Sequence, residues 1–136
     1  MAEMDAMNFV RSIYLGDRAC KSIVINGWDE EVRVQVDCIS RVRGKAWDFY
    51  NAENLDNGFI VFEKVRKIDW DPSGKIPNDQ FQLSVILCET GEAKYIFCIK
   101  AASYDDREPS PTQIQIKVYA DSIALEAESG GIRIRE

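Results

Sequence analysis

Strict alternation of apolar and polar residues in several short runs is the feature that most limits what this chain can fold into. Val32-Arg33-Val34-Gln35-Val36-Asp37 and Gln113-Ile114-Gln115-Ile116-Lys117-Val118 each place branched aliphatic side chains on one face and polar ones on the other. That is the signature of half-buried antiparallel strands. The pattern specifies a core and no chemistry. Further strands are predicted at about 19–26 with 31–41, at Trp47-Asp48-Phe49-Tyr50, at Phe59-Ile60-Val61-Phe62, at Lys67-Ile68-Asp69-Trp70, at 81–88 with 93–101, at 112–119 and at 121–125. The unbroken apolar run at 59–62 predicts burial on both faces. Asn51 to Gly58 is polar and reads as turn, as does Asp71-Pro72-Ser73-Gly74.

One helix is predicted, at about 5–15, because Ala6, Phe9, Val10, Ile13 and Tyr14 recur at three- and four-residue spacing. Asp5 can cap its start, and Gly16 can supply the left-handed residue that ends it. The 136 residues suit a single domain over 1–136, with a flexible tail at about 127–136 that contains Gly130-Gly131. The fold class is therefore mainly β: a single-domain antiparallel β-sandwich or partly open β-barrel of about seven or eight strands with one N-terminal helix. The helix is expected to cover one edge or the mouth.

At 46% hydrophobic and 29% charged residues the composition is that of a globular protein. No apolar stretch is long enough to span a bilayer, and Met-Ala-Glu-Met-Asp lacks the basic start and apolar run of a secretion signal. A soluble, cytoplasmic protein is expected. The four cysteines test that compartment. A turn at Asn26-Gly27 that aligns Ile23 and Ile25 with Val32, Val34 and Val36 sets Cys20 and Cys38 on opposite faces. A three-residue loop at Glu89-Thr90-Gly91 pairs Leu83 with Phe97 and Val85 with Tyr95, which leaves Cys98 opposite Gln82 and roughly 20 Å along the strand from Cys88. Neither hairpin can then bridge its thiols, as a reducing compartment requires.

Taken in order, Gly16-Asp17-Arg18-Ala19-Cys20-Lys21, Val34-Gln35-Val36-Asp37 with Ile39-Ser40-Arg41, Trp47-Asp48-Phe49-Tyr50, Asn57-Gly58 before Ile60-Val61-Phe62, Gly74-Lys75-Ile76-Pro77-Asn78-Asp79 and Tyr119-Ala120-Asp121-Ser122-Ile123 resemble a family of small bacterial proteins of unknown function. The likeness covers nearly the whole chain after the first helix. It implies a bacterial cytosolic setting and assigns no activity, cofactor or site residue.

The sequence contains no histidine. That removes the usual general base, the usual partner of a nucleophilic serine or cysteine, and the usual nitrogen ligand for zinc. The cysteines lack metal-site spacing and read as small core residues. Asp69-Trp70-Asp71-Pro72-Ser73-Gly74 imitates the start of an EF-hand calcium loop, but Gln80 stands where a bidentate glutamate is needed and strand patterns flank it. A plain turn is expected there, with no catalytic residue, cofactor or metal anywhere in the chain. A net charge of −6 opposes nucleic acid and anionic membrane as partners. The local basic groups Arg41-Val42-Arg43-Gly44-Lys45 and Lys64 with Arg66-Lys67 read as solvated strand faces.

Two functions from different classes lead, ahead of an enzyme built on carboxylates or a cysteine, for which no residue type is poised near neutral pH. A non-enzymatic protein-binding domain, in its sharpest form an immunity-type protein blocking a basic toxin, would use the acids Asp105, Asp106 and Glu108 of the long connection from Ala101 to Pro111. A small-molecule or carbohydrate-binding module would instead use the rings of Trp28, Trp47 and Tyr50.

Overall fold

A computed structural model of the chain describes residues 5–14, 19–41, 53–73 and 75–135. It begins with α1 (Ala6–Arg11), which Asp5 caps by accepting the Asn8 amide at 2.9 Å. The helix stops well short of residue 15. Ser12 closes it, its hydroxyl donating to the Phe9 carbonyl at 2.6 Å, and the next two residues are taken by strand pairing. Gly16 lies outside the described residues.

Among the described residues eleven strands follow, in chain order β1 (Ile13–Tyr14), β2 (Cys20–Asn26), β3 (Glu31–Val36), β4 (Cys38–Arg41), β5 (Glu53–Asp56), β6 (Phe59–Glu63), β7 (Lys67–Asp71), β8 (Phe81–Leu87), β9 (Tyr95–Ser103), β10 (Thr112–Ala120) and β11 (Ser122–Glu126). They form two four-stranded sheets, β11-β6-β3-β2 and β7-β10-β9-β8, and a small sheet β1-β4-β5, with every pairing antiparallel. The count exceeds the expected seven or eight for three local reasons, the first being that Ile13 and Tyr14, read as helix, pair with β4 instead. The run 31–41 breaks at Asp37, whose carboxylate accepts the amides of Ala19 and Cys38 at 3.0 Å each. Residues 53–56, read as turn, pair with β4 instead. The predicted strand at Trp47-Asp48-Phe49-Tyr50 lies outside the described residues.

The architecture is sandwich-like, and the described strands form no closed barrel. One bent ribbon joins the large sheets: β6 runs on into β7 while β10 runs on into β11, and the two remain paired across the corner. There the Arg66 amide donates to Tyr119 at 2.7 Å and the Asp121 amide to Glu63 at 3.1 Å. On the opposite side, a single bridge from Ala19 to Gln80 ties the start of β2 to the start of β8. Inward residues of both sheets, including Val34, Ile60, Phe62, Phe97, Ile116 and Val118, share one core with Phe9 of α1. Ile60, Val61 and Phe62 are all fully buried, as the unbroken run predicts.

The first hairpin has the expected register, Ile23 opposite Val34 and Ile25 opposite Val32, with an irregularity between Cys20 and Ser22. The second is corrected by two residues: Leu83 pairs with Ile99, Val85 with Phe97 and Cys98 with Ser84. Its loop is longer than three residues, because the Cys88 amide closes it by donating to Lys94 at 3.1 Å. No disulfide joins any two of the four cysteines.

The chain returns to the sheet after β11. Ile134 bridges Leu125, with Leu125 N to Ile134 O at 2.9 Å and Ile134 N to Leu125 O at 2.8 Å, so residues 133–135 lie along the edge of β11.

Candidate functional site

The β2–β3 turn projects an aromatic side chain from a rigid base. Asn26 accepts the Asp29 amide at 3.1 Å and donates to its carboxylate at 3.0 Å. Glu30 takes a left-handed conformation at φ 55°, and its carbonyl accepts the Val65 amide at 2.8 Å. Its carboxylate receives Arg66 at 3.0 Å. The turn is thus fastened to the corner between β6 and β7. At its tip Trp28 is 94% exposed. Behind it, β2 is an outermost strand of its sheet and leaves Val24 and Ile25 about half exposed.

Beside the turn lies a cluster that no motif announced. On the outer face of the sheet, Glu31, Arg33, Glu63 and Glu126 alternate with inward core residues, and the segment 133–135 lays two arginines over them. Arg133 donates to Glu31 at 2.8 Å, to Glu63 at 2.6 Å and to Glu126 at 3.0 Å. Arg135 engages both oxygens of Glu63, and Ser122 donates to the same carboxylate at 3.0 Å. Arg33 stacks on Phe59 and pairs with Glu126 at 2.8 Å. Burial pushes the Glu63 carboxyl up, but the bonds from Arg135, Arg133 and Ser122 outweigh it and bring its pKa down to about 2. An open, polar hollow of about 670 Å³ adjoins the cluster, lined by Asp29, Glu31, Glu63, Lys94, Asp121 and Arg135 among others. The one available sequence signal was Ile132-Arg133-Ile134-Arg135, a short alternation hidden behind two glycines.

The other candidates are placed differently. Asp105 is bound by Arg107 at 2.7 Å and Glu108 by Lys75 at 3.0 Å, so two of the three loop acids carry their own counter-charges. Asp106 lines a separate open hollow together with Asp105, Ile76 and Tyr104. Trp47 and Tyr50 fall outside the described residues, so no platform with Trp28 can be drawn. Asp69 and Asp71 sit in strand β7, opposite Lys117 and Gln115, and Tyr119 donates to Asp69 at 3.3 Å. Arg41 is buried, not solvated as its basic run predicts: its Nε donates to Ser12 at 3.0 Å and its guanidinium stacks on Phe9. Lys64, Arg66 and Lys67 are exposed, and Arg66 and Lys67 hold acidic partners on the surface.

A profile of a family of unknown function, DUF6258, matches residues 4–136. The chain belongs to that family. No curated protein and no solved structure matches it. The DUF6258 assignment covers the helix, all three sheets and the arginine segment together, and it attaches no chemistry to any of them.

Proposed function

We propose that this member of DUF6258 is a non-enzymatic protein-binding domain of a bacterial cytoplasm, and that the 27–30 turn with the edge strand β2 is its contact surface. The observation that carries the reading is Trp28, almost fully exposed on a turn whose backbone is held from both sides. Tryptophan is, with tyrosine and arginine, enriched among the residues that carry the binding energy of protein interfaces. A pre-ordered turn spares the partner the entropy of fixing it. Val24 and Ile25, on opposite faces of β2, are each about half exposed, and β2 is the outermost strand of its sheet among the described residues, where a partner strand could add.

The partner we propose is a basic protein, as an immunity-type protein blocking a toxin would require. Asp29 follows Trp28 directly, Glu30 beyond it is already held by Arg66, and the whole chain carries −6. The loop acids Asp105 and Glu108 contribute less, since Arg107 and Lys75 already hold them.

The test is affinity recovery of partners from the native cell extract on wild-type protein and on Trp28→Ala. Truncating a central anchor costs about 2 kcal/mol or more of binding, so the variant should lose its specific partner by well over tenfold in affinity while its melting temperature stays unchanged. A partner retained equally by both proteins, or no specific partner on the wild type, overturns the reading.

A further inference from the structure

We propose that Glu31, Glu63 and Glu126 form a receptor for an extended basic segment with arginines two residues apart, and that residues 132–135 fill it in cis as a displaceable strap. The occupant when the strap lifts is such a segment of a basic partner protein. The identity of that partner rests on the protein-binding reading above; the strap and its receptor do not.

Arg133 and Arg135 are spaced i, i+2, so in extended backbone they leave the same side about 7 Å apart. Arg133 reaches all three glutamates and Arg135 takes Glu63 with both terminal nitrogens. Forked, bidentate contacts of this kind select guanidinium over the point charge of lysine. Ile134 between them is partly buried against the core, whereas Ile132 is 95% exposed. The site therefore reads Arg-Ile-Arg.

What holds the segment is separable from the fold. Its backbone pairing among the described residues is the single bridge to Leu125. It is reached through Gly130 and Gly131, at φ 88° and 99°, where an added Cβ would meet nothing within 4 Å. Two glycines in open space make a hinge. Its ionic bonds are ones a foreign arginine remakes in full, so exchange loses little, and contacts to the adjoining Trp28 turn can decide it. Glu31 is the first residue after that turn, which puts the receptor and the proposed contact surface side by side.

The probe is a fluorescent peptide of residues 131–136, Gly-Ile-Arg-Ile-Arg-Glu, titrated against full-length protein and followed by anisotropy. The full-length variant R133Q/R135Q should bind it at least tenfold more tightly than wild type, whose receptor is occupied. Adding Glu63→Gln to that variant should abolish binding, and replacing both peptide arginines with lysine should weaken it severalfold. A folded R133Q/R135Q protein that ignores the peptide, or binds it regardless of Glu63, overturns the proposal. Should the variant not fold, amide exchange on wild type decides instead: Leu125 and Ile134 should exchange at least tenfold faster than Val34, and equal rates overturn the strap. A wild-type dimer that dissociates in R133Q/R135Q would put a second copy in the receptor and overturn the partner assignment. Peptide binding that survives Trp28→Ala while partner recovery does not would support the receptor independently of the contact surface.

Discussion

The four thiols occupy environments that differ enough to be told apart chemically. Cys20 is buried at the start of β2, and burial pushes its thiol up to about 11 against a weaker opposing backbone hydrogen bond at Ser22. Cys88 lies past the end of β8 with its sulfur 3.2 Å from the Thr90 hydroxyl, and that hydrogen bond foremost lowers its pKa below the ordinary thiol value. The thiolate is the reactive species, so accessibility and pKa favour the same residue. A thiol reagent added to native protein near pH 8 should label Cys88 first and Cys20 last. Cys88→Ser should remove the fast phase. In denaturant without reductant all four cysteines should react, because none is held in a disulfide. Rapid labelling of Cys20, or fewer than four reactive thiols after unfolding, would contradict the structure.

Between strands, the tightest joint is Gly58, which turns β5 into β6 and accepts the Val36 amide at 3.0 Å. A Cβ there would come within 2.9 Å of Leu55 Cβ and 3.2 Å of Ile39 Cδ1, two residues paired across β4 and β5. Gly58→Ala should cost about 1–3 kcal/mol by overpacking and lower Tm by about 4–10 °C. Gly27→Ala, with no atom within 4 Å, is the control and should leave Tm unchanged. The same joints explain what was legible beforehand. Alternation found β3 and β10 and the faces of every large strand, since a period of two leaves a clear imprint. It could not detect a shift of two residues in the second hairpin, which keeps every side chain on its own face. The break at Asp37 was invisible because it depends on a carboxylate binding amides 18 positions away and next door. At the site, Trp28 was legible as an unplaced aromatic. Its exposure was not, because that depends on Val65 and Arg66 fastening the turn. The arginine strap was missed because Gly130-Gly131 reads as a tail until Ile134 is seen to pair.

Across the whole molecule, the ionic cluster ties β3, β6 and β11 to the strap at the end of the sheet where the bent ribbon crosses to its partner. Glu63 is its centre, receiving Arg133, Arg135 and Ser122. Its carboxyl falls from the ordinary 4.5 to about 2 in the folded protein, so folding favours its charged form. The stabilisation it contributes is fully present above pH about 4.5 and is lost as the pH falls toward 2, where the folded carboxyl is protonated as well. Water still reaches the cluster, so the contribution is discounted to about 1–2 kcal/mol. Glu63→Gln should therefore lower Tm by about 4–8 °C at pH 7, and the gap between variant and wild type should close as the pH is taken from 4.5 down to 2. Melting curves of the two proteins through that range make the measurement. A gap that does not change with pH, or one that widens toward acid, would mean that Glu63 acts by packing alone and that the cluster is not what fastens strap to sheet.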